Sequence, residues 1–503
     1  MARPPRSLIV FLVAVTLVRL CAAAFIPLSE DEAYYRLWAA SLQFGYFDHP
    51  PMIAWWVRAG MIIAGDNALG ARLFPVLSSG LASLVVFDIA GRIGAGEAVA
   101  TRAAIWFNAT LLIGVGGFLA IPDAPNILFW TLTLACLTRI GGRRGGAWWL
   151  AAGAAAGLAT LSKYSALFIA PGVVLWILLK PGGWRELRRP WPWGAALVAM
   201  AIFGVNVAWN AEHHWVTFIK QFGRAAPSAL APENLIWFAG GQLVLLNPYI
   251  AWFVGRGAGQ VWRRKAPANL DLGLLLNTSL PFIAYLLLHS LHDRVEAHWT
   301  APLYPALAVL AACAAETAAT RSYLGGISRR AGPIGLAISA LVMVHLAVPA
   351  TDVGLSDPAL AFRGWRDLGG RVEALRLANH AAWVGTLSYA TTAELAASGK
   401  IHAPVIELRE RDRYPPGDPS WRADLTQPGI VVDLDRRAAD QGLGGCFTSV
   451  TPLPALTRGD PGRQGVAYAT LLVSGGRVEA GGDCDSPATR RLADPIGAAT
   501  ASR

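Results

Sequence analysis

Charged residues are scarce in this sequence. Asp, Glu, Lys and Arg make up 15% of the 503 residues, whereas soluble domains carry about a quarter. The sequence has no GxxxxGK[ST] loop for a nucleotide phosphate. Its five cysteines lack the spacing of a metal site. These absences argue against a soluble protein and against a nucleotide-driven reaction in the cytoplasm.

Long apolar runs take the place of the missing charge. Hydrophobic residues make up 54% of the chain, and a membrane-spanning helix needs about 20 mainly apolar residues. The pattern predicts an all-α polytopic membrane protein with about eleven transmembrane helices. Met1 to Leu28 has the basic start of a signal peptide, but its apolar stretch is long and lacks a clean cleavage site, so we interpret it as an uncleaved first span. The predicted spans are 7–28, 68–91, 98–120, 124–140, 146–161, 164–180, 193–210, 234–255, 270–290, 301–319 and 332–350.

The basic residues predict the orientation of these spans. They concentrate in alternate loops, which is the pattern of cytoplasmic loops. The net charge of +10 therefore reflects orientation, and we expect no nucleic-acid partner. We expect a cytoplasmic N-terminus, an extracytoplasmic tail after Pro349, and a location in the bacterial inner membrane. The loop acids expected on the outer side are Glu30, Asp31, Glu32, Asp48, Asp66, Asp123, Glu212, Glu233, Asp293 and Glu296.

Two parts of the chain differ from the spans. In the long outer loop 28–67, Tyr34, Leu37, Trp38 and Leu42 recur at helical spacing, which predicts a helix lying on the membrane. From residue 351 the charge rises, with one helical pattern, "GWRDLGGRVEALRLA", and three strand patterns, "AWVGTLSY", "GIVVDLD" and "AYATLLVSG". We predict a transmembrane domain over 1–350 and a small C-terminal α/β extracytoplasmic domain over 351–503. In an oxidising compartment, its two cysteines could pair as a disulfide, Cys446–Cys484.

Acidic residues of the outer loops are candidate catalytic groups. Asp31 follows the first span, Asp48 shares its loop, and Asp123 lies between two prolines in "PDAP". A carboxylate in a partly dry pocket has a tunable basicity and can take a proton from an acceptor. The plainer alternatives are a helix flank for Asp31 and a turn or helix cap for Asp123.

Cationic side chains on the same side suggest an anion site. Lys163 lies between apolar segments, where an unpaired charge is costly, although its side chain could also reach the interface. Arg224 and His49 could join Lys163 in binding a phosphate, which suits arginine well. His298, with nearby histidine and acids, could instead belong to a metal site, but no spacing enforces one, and we predict no metal and no cofactor.

Four ordered motifs resemble one known family. They are "DEAYYRLWAASLQFGYFDHPPMIAWW", "PDAPNILFW", "GLATLSKYSALF" and "NVAWNAEHHWVTF". Over about residues 5–350 the chain resembles the bacterial branch of the dolichyl-phosphate-mannose–protein mannosyltransferases, which includes the aminoarabinose transferase of lipid A. The resemblance implies the GT-C membrane glycosyltransferase fold and a sugar donor on polyprenyl phosphate. It also implies inverting transfer to a lipid A, glycan or protein acceptor on the outer face, without a nucleotide.

The resemblance also implies roles for individual residues. Asp31 corresponds to the family's base or acceptor-orienting acid, helped by Asp48 and Asp123. His49 stands where relatives have a lysine near the donor phosphate, and Lys163 and Arg224 match basic positions less closely. The side chains that we expect in the substrate pocket are Glu32, Tyr34, Tyr35, His213 and His298.

One alternative remains from the residues alone. Charged groups near a membrane and aromatic outer loops also suit a transporter or flippase of lipid-linked sugars. However, no inverted repeat is visible, and the charged groups cluster on one side instead of at the midplane. We therefore predict a glycosyltransferase whose carboxylates and phosphate-binding cations come together at the outer membrane surface.

Overall fold

The structure, a computed structural model, consists of two compact units. The helical unit contains Met1–Phe25 and His49–Val344, and the sheet unit contains Ile26–Asp48 and His345–Arg503. Most of the first outer loop thus belongs to the same unit as the C-terminal region, and not to the helical unit. The residues that the structure describes are 3–223, 229–265, 270–318, 322–348, 354–410, 413–414, 424–435, 443–459 and 464–476.

Helices dominate the described residues. The α-helices are α1 Arg6–Phe25, α2 Glu30–Ala40, α3 Met52–Ala64, α4 Ala68–Arg92, α5 Glu97–Ala109, α6 Leu111–Gly116, α7 Asp123–Leu137, α8 Gly145–Thr160, α9 Ile169–Leu179, α10 Pro190–Glu212, α11 Val216–Gly223, α12 Glu233–Leu245, α13 Pro248–Trp262, α14 Leu272–His289, α15 Tyr304–Ala318, α16 Ser322–Ala347, α17 Trp365–Ala378, α18 Tyr389–Ala397 and α19 Leu443–Cys446. The 3-10 helices are Tyr164–Phe168, Gly183–Arg188, Ala297–Leu303, Gly354–Ser356 and Pro358–Ala361.

Each predicted span falls on helical structure, but several spans are broken. Thr110 interrupts α5–α6, and α12 and α13 meet at an angle of 107°. Within the described residues, six helices are long and apolar enough to cross a membrane, or seven if the bent pair counts as one span. The number of eleven spans therefore stays a prediction, while the expectation of a mostly helical chain with several apolar helices is confirmed.

Small residues let the helices of the helical unit pack backbone to backbone. A Cβ atom at Gly153 of α8 would lie 2.2 Å from the carbonyl oxygen of Ala195 in α10. A Cβ atom at Gly172 of α9 would lie 2.3 Å from the carbonyl oxygen of Thr278 in α14. Such close approach is typical of helix pairs in membranes. It fixes the positions of the helix ends, including those around residue 163.

A buried arginine ties the first span to this bundle. The Arg19 guanidinium donates to Ser79 Oγ and Asn108 Oδ1, each at 2.9 Å, and to the carbonyl oxygen of Ile113 at 2.7 Å. Because a charge among apolar helices needs polar partners, these bonds set the register of α1 against α4 and α5.

The sheet unit is built around a five-stranded mixed sheet with the order β2-β1-β3-β5-β4. Strands β1, β2 and β3 are parallel, whereas β5 is antiparallel to both β3 and β4. The predicted helix, now α17, and the three predicted strands, now β1, β3 and β5, are confirmed. The strands are β1 Trp383–Thr386, β2 Val405–Glu407, β3 Gly429–Leu434, β4 Phe447–Arg458 and β5 Val466–Gly476.

The sequence did not predict β2, β4 or α18. Strand β2 has only three residues, and β4 carries Pro452 and Pro454, which its position at the sheet edge tolerates. Cys446 of this unit is disulfide-bonded, while Cys484 lies outside the described residues.

The location of the loop helix on the membrane stays a prediction, but part of its apolar face is covered by protein. In α2, Tyr34 and Trp38 are buried, and their rings pack against other residues of the sheet unit: Tyr34 lies 5.0 Å from Tyr389, and Trp38 stacks on Tyr46 at 4.4 Å. Leu42, expected on the same face, is exposed. The helical spacing indicated burial correctly, but it carries no information on whether protein or lipid covers the face.

A buried polar cluster lies where the parallel strands end. Glu407, at the end of β2, is fully buried, with the Thr392 hydroxyl 2.9 Å from its Oε2 atom and the Arg409 N–H donating to Oε1. Burial raises the pKa of Glu407 to about 8, even though these hydrogen bonds oppose the shift. Glu407 is therefore protonated in the folded protein at neutral pH.

Replacing Glu407 by Gln should flatten the dependence of stability on pH. Because its folded pKa is raised from 4.5 to about 8, the wild-type protein loses stability as the pH rises through this window. A glutamine keeps a neutral group of the same shape, so E407Q should gain about 2–3 kcal/mol over wild type near pH 7. Thermal unfolding of the detergent-solubilised protein between pH 5 and 8 measures this. The matched substitution at exposed Glu97 should leave the wild-type profile unchanged, and parallel profiles for wild type and E407Q would contradict the prediction.

Candidate functional site

Asp123 is the predicted catalytic acid that lies in the helical unit. It is the first residue of α7 and is 3% exposed. The Lys163 Nζ atom lies 2.8 Å from each of its carboxylate oxygens, and the Lys163 side chain is also largely buried. The sequence predicted separate roles for these two residues. The structure joins them as one ion pair.

Local sequence explains why the pair forms. Pro122 leads directly into α7, so that Asp123 lies in the first turn, where the helix dipole favours a negative charge. Lys163 follows α8 and precedes a 3-10 helix, and the Asn126 amide donates to Ser165 Oγ at 3.1 Å, which holds the two segments together.

Two histidines accompany the pair. His298 Nε2 lies 3.8 Å from Asp123 Oδ2, and His49 acts electrostatically on the same carboxyl. The Met52 N–H donates to the carbonyl oxygen of Leu161 at 3.1 Å, which fixes the double-proline segment after His49 beside the Lys163 segment. Asp123, Lys163, His298 and His49 therefore form one cluster, which we call the Asp123 cluster.

The 3-10 helix that carries His298 is anchored separately. The Gln242 amide donates to the carbonyl oxygen of Ala297 at 2.9 Å, and the hydroxyls of Thr300 and Tyr304 donate to its oxygen. This network ties α12 to the 3-10 helix, so the imidazole of His298 occupies a defined position.

Nearby positive charge favours the ionised form of Asp123. Burial alone would raise its pKa, but the charge of Lys163, with smaller contributions from His298 and His49 and the hydrogen bonds from Lys163, lowers the pKa below its usual value. A carboxylate that binds an ammonium group through both oxygens is a weak proton acceptor. Lys163 has three N–H donors, so one remains for an anion.

An apolar groove lies between four helices of the helical unit. It has a volume of about 340 Å³ and is lined by residues of α7, α8, α9 and α10. Thr160 and Ala166, which flank Lys163 in sequence, line the groove together with Leu187 and Trp193, which lie beyond the far end of α9. The groove can therefore hold an apolar chain.

The sheet unit holds the other predicted acids in a second cluster. Asp48 pairs with Arg413, and both side chains are buried. The Tyr34 hydroxyl lies 3.0 Å from Asp48 Oδ2, and the Tyr389 hydroxyl donates to Asp31 Oδ1 at 3.1 Å. We call these five residues the Arg413 cluster. Asp31 is exposed and thus accessible to a substrate, whereas Asp48 is held by an ion pair.

Three other predicted residues have local structural contacts. Glu32 closes the capping box of α2 by accepting from the N–H and hydroxyl of Ser29, each at 3.0 Å, and Tyr35 is buried with its ring 5.0 Å from Trp38. His213 ends α10, where its ring stacks on Trp209 at 4.0 Å. Sequence spacing placed all three in the substrate pocket. In the structure Glu32 and Tyr35 are buried within the sheet unit, and the ring of His213 packs on its own helix.

Sequence reasoning missed Arg413 and assigned no role to Tyr389. Tyr389 lies outside the four motifs that carry the resemblance, and Arg413 is one of several arginines in a polar segment. The predicted phosphate ligand Arg224 lies outside the described residues.

A double-mutant cycle tests the Asp48–Arg413 pair. Each single variant, D48N or R413Q, leaves buried charge without its partner and should destabilise the protein by about 3 kcal/mol. The double variant D48N/R413Q should lose less than the sum, with a coupling energy of about 1–3 kcal/mol. Unfolding of the detergent-solubilised protein measures both quantities. Strictly additive losses would show that the two residues do not depend on each other.

Comparison with known proteins places this geometry in context. Residues 48–209 match the family model of the dolichyl-phosphate-mannose-protein mannosyltransferases. The lipid A galacturonosyltransferase RgtD of Rhizobium johnstonii is 28% identical over 321 residues, which cover 61% of this chain and 65% of that protein. An undecaprenyl phosphate-α-4-amino-4-deoxy-L-arabinose arabinosyl transferase of Pseudomonas fluorescens is 27% identical over 293 residues, covering 50% of this chain and 51% of that protein. The matches thus span less than two thirds of these relatives.

Solved structures are similar to this protein over a larger part of its length. The crystal structure of ArnT from Cupriavidus metallidurans bound to undecaprenyl phosphate aligns with a TM-score of 0.63 at 16% identity, covering 92% of this chain and 97% of that one. The same protein in the apo state gives a TM-score of 0.60. At this identity the similarity shows a shared fold.

Proposed function

We propose that this chain is a GT-C membrane glycosyltransferase that transfers a sugar from a polyprenyl-phosphate donor to an extracytoplasmic acceptor. The relatives named above modify lipid A or use an undecaprenyl-phosphate sugar, which favours a lipid A or related glycan acceptor, although a protein acceptor fits the family too. The one observation that carries the proposal is the position of Lys163, a largely buried cation whose neighbours in sequence, Thr160 and Ala166, line an apolar groove.

A lipid-linked phosphate has the two properties that this site recognises. Its hydrocarbon chain fits the groove along α9, and its anionic end fits the remaining N–H of Lys163. Asp123 orients Lys163, while the imidazole N–H groups of His49 and His298 can add further donors. We also assign Arg224 to the donor phosphate, by resemblance.

The proposed reaction is a single displacement. The acceptor hydroxyl loses its proton to Asp31, and its oxygen attacks the anomeric carbon from the face opposite the phosphate. The bond between the anomeric carbon and the phosphate oxygen breaks, polyprenyl phosphate leaves, and the configuration at the anomeric carbon is inverted. Lys163 stabilises the charge that develops on the leaving phosphate, so no step in this scheme requires a metal ion.

The proposal also includes the orientation and domain roles. We propose eleven spans with the N-terminus in the cytoplasm, a transmembrane domain over 1–350 and an extracytoplasmic domain over 351–503. The disulfide at Cys446 supports an oxidising compartment for this domain. Glu32, Tyr34 and Tyr35 then act as supports of the Asp31 segment, and His213 and His298 flank the substrate.

Turnover in detergent tests the proposal. Detergent abolishes the two compartments that transport needs, so a transferase still converts a polyprenyl-phosphate sugar and a lipid acceptor into glycolipid and polyprenyl phosphate. The variant D31N should lower kcat at least about 100-fold by removing the base while the protein stays folded.

The exposed outer-loop residue Asp66 offers a matched control, and D66N should turn over like wild type. Mass spectrometry of the product and NMR of its anomeric centre give the readout. An unchanged kcat in D31N would show that Asp31 is not the base. If the wild-type protein shows no turnover but transports the lipid-linked sugar in vesicles, the protein is a flippase and not a transferase.

A further inference from the structure

We propose that Tyr389 and Arg413 of the C-terminal region are positioning residues for the acids of the first outer loop, so that the sheet unit takes part in the reaction. The inference rests on the proposed function of Asp31 and concerns residues to which neither the family model nor the resemblance assigns a role. Its basis lies within the sheet unit, where Ile26–Asp48 and the C-terminal region form one compact body.

The direct contact is made by Tyr389. Its hydroxyl donates to Asp31 Oδ1 at 3.1 Å, across 358 residues of sequence. Burial raises the pKa of Tyr389, and the negative charges of Asp31 and Asp48 raise it further, so the phenol keeps its proton and stays a donor. A donor to one carboxylate oxygen restricts the rotation of the carboxyl group.

The position of Tyr389 is determined by the sheet. It is the first residue of α18, whose N-cap Ser388 donates to Asp433 Oδ2 at 3.0 Å, and Asp433 also accepts from the N–H of Leu387 at 2.8 Å. Asp433 belongs to β3 and is fully buried. In open α/β sheets, ligands bind beyond the carboxyl ends of the strands. Here a segment of the same chain, α2, packs against α18 at this place.

Arg413 anchors the other end of the loop segment. Its guanidinium lies 4.7 Å from the ring centre of Tyr389 and 4.9 Å from that of Phe47, and it pairs with Asp48. Burial lowers the pKa of Arg413, but Asp48 and Glu410 outweigh this effect and raise it, so the guanidinium stays charged. The Tyr34 hydroxyl, 3.1 Å from the carbonyl oxygen of Arg413, adds a contact from α2.

These contacts divide the acids by role. Asp31 is exposed and accepts an oriented hydrogen bond from Tyr389, which suits a base. Asp48 is buried in an ion pair and acts through Arg413 as a fixed point of the loop. Asp48 is therefore a positioning residue, whereas the sequence predicted a catalytic one.

The variant Y389F tests the inference. It removes only the donor to Asp31, and the loss of one hydrogen bond should lower kcat about tenfold while KM for the donor lipid changes little. Because the bond favours the carboxylate form, the acid limb of the kcat profile should move to higher pH. The titratable or charged groups around this contact include Tyr389, Tyr34, Tyr414, Asp48 and Arg413, with Glu30 and Glu32 on α2 itself.

A control in the same sheet separates positioning from general damage. The Thr470 hydroxyl of β5 donates to the carbonyl oxygen of Pro454 at 2.8 Å, and T470V should keep wild-type kcat and the wild-type pH profile at a comparable loss of stability. For Arg413, R413K should recover part of the kcat that R413Q loses, because a lysine restores the charge opposite Asp48.

The outcomes distinguish the two proposals. If D31N is inactive and Y389F matches wild type in kcat and pH profile, the positioning role is wrong and the proposed base stands. If D31N retains full activity, the proposed base is wrong whatever Y389F does. A tenfold loss in Y389F with an unshifted acid limb would also overturn the positioning role, because altered stability alone could cause it.

Discussion

An ionised side chain among apolar helices must have a partner, and this constraint shapes the helical unit. Asp123 and Lys163 satisfy each other through two contacts of 2.8 Å, and Asp88 pairs with Arg139 in the same unit. Burying one such charge alone costs several kcal/mol. Pairing removes most of that cost and also fixes the geometry, so Lys163 can serve as a fixed cation. The proposed recognition of a lipid-linked phosphate depends on this pair.

The boundary between the two units has a functional meaning. Asp48 and His49 are consecutive residues, yet Asp48 belongs to the sheet unit and His49 to the helical unit. The first outer loop up to Asp48 is therefore held by the C-terminal region, through Arg413 and Tyr389. Sequence changes in the C-terminal region of such an enzyme must preserve the contacts to the loop acids. In the proposed mechanism, the sheet unit supplies both the base Asp31 and the residues that position it.

Sequence patterns predicted the helical architecture well, because apolar segments of sufficient length leave few alternatives. The predicted α17, β1, β3 and β5 also form, since their periodicity is regular. The pairing of Asp123 with Lys163 was beyond sequence reasoning, because the two residues are 40 positions apart and only the packing of α7 and α8 brings them together. Tyr34 and Trp38 show a second limit: helical spacing revealed a buried face, but it could not tell protein from lipid. Arg413 was missed for a similar reason, since a single arginine in a polar segment gives no local signal.

Binding of sugar-free undecaprenyl phosphate to the purified protein tests the central claim most directly. The double variant D123N/K163M removes the buried pair without leaving an unpaired charge, and D271N/K180M removes an exposed pair of the same composition. The account predicts that D123N/K163M binds the lipid at least about tenfold more weakly than wild type, a loss of about 1.4 kcal/mol, while D271N/K180M binds like wild type. Equal Kd values for wild type and D123N/K163M would contradict the assignment of Lys163 to the donor phosphate.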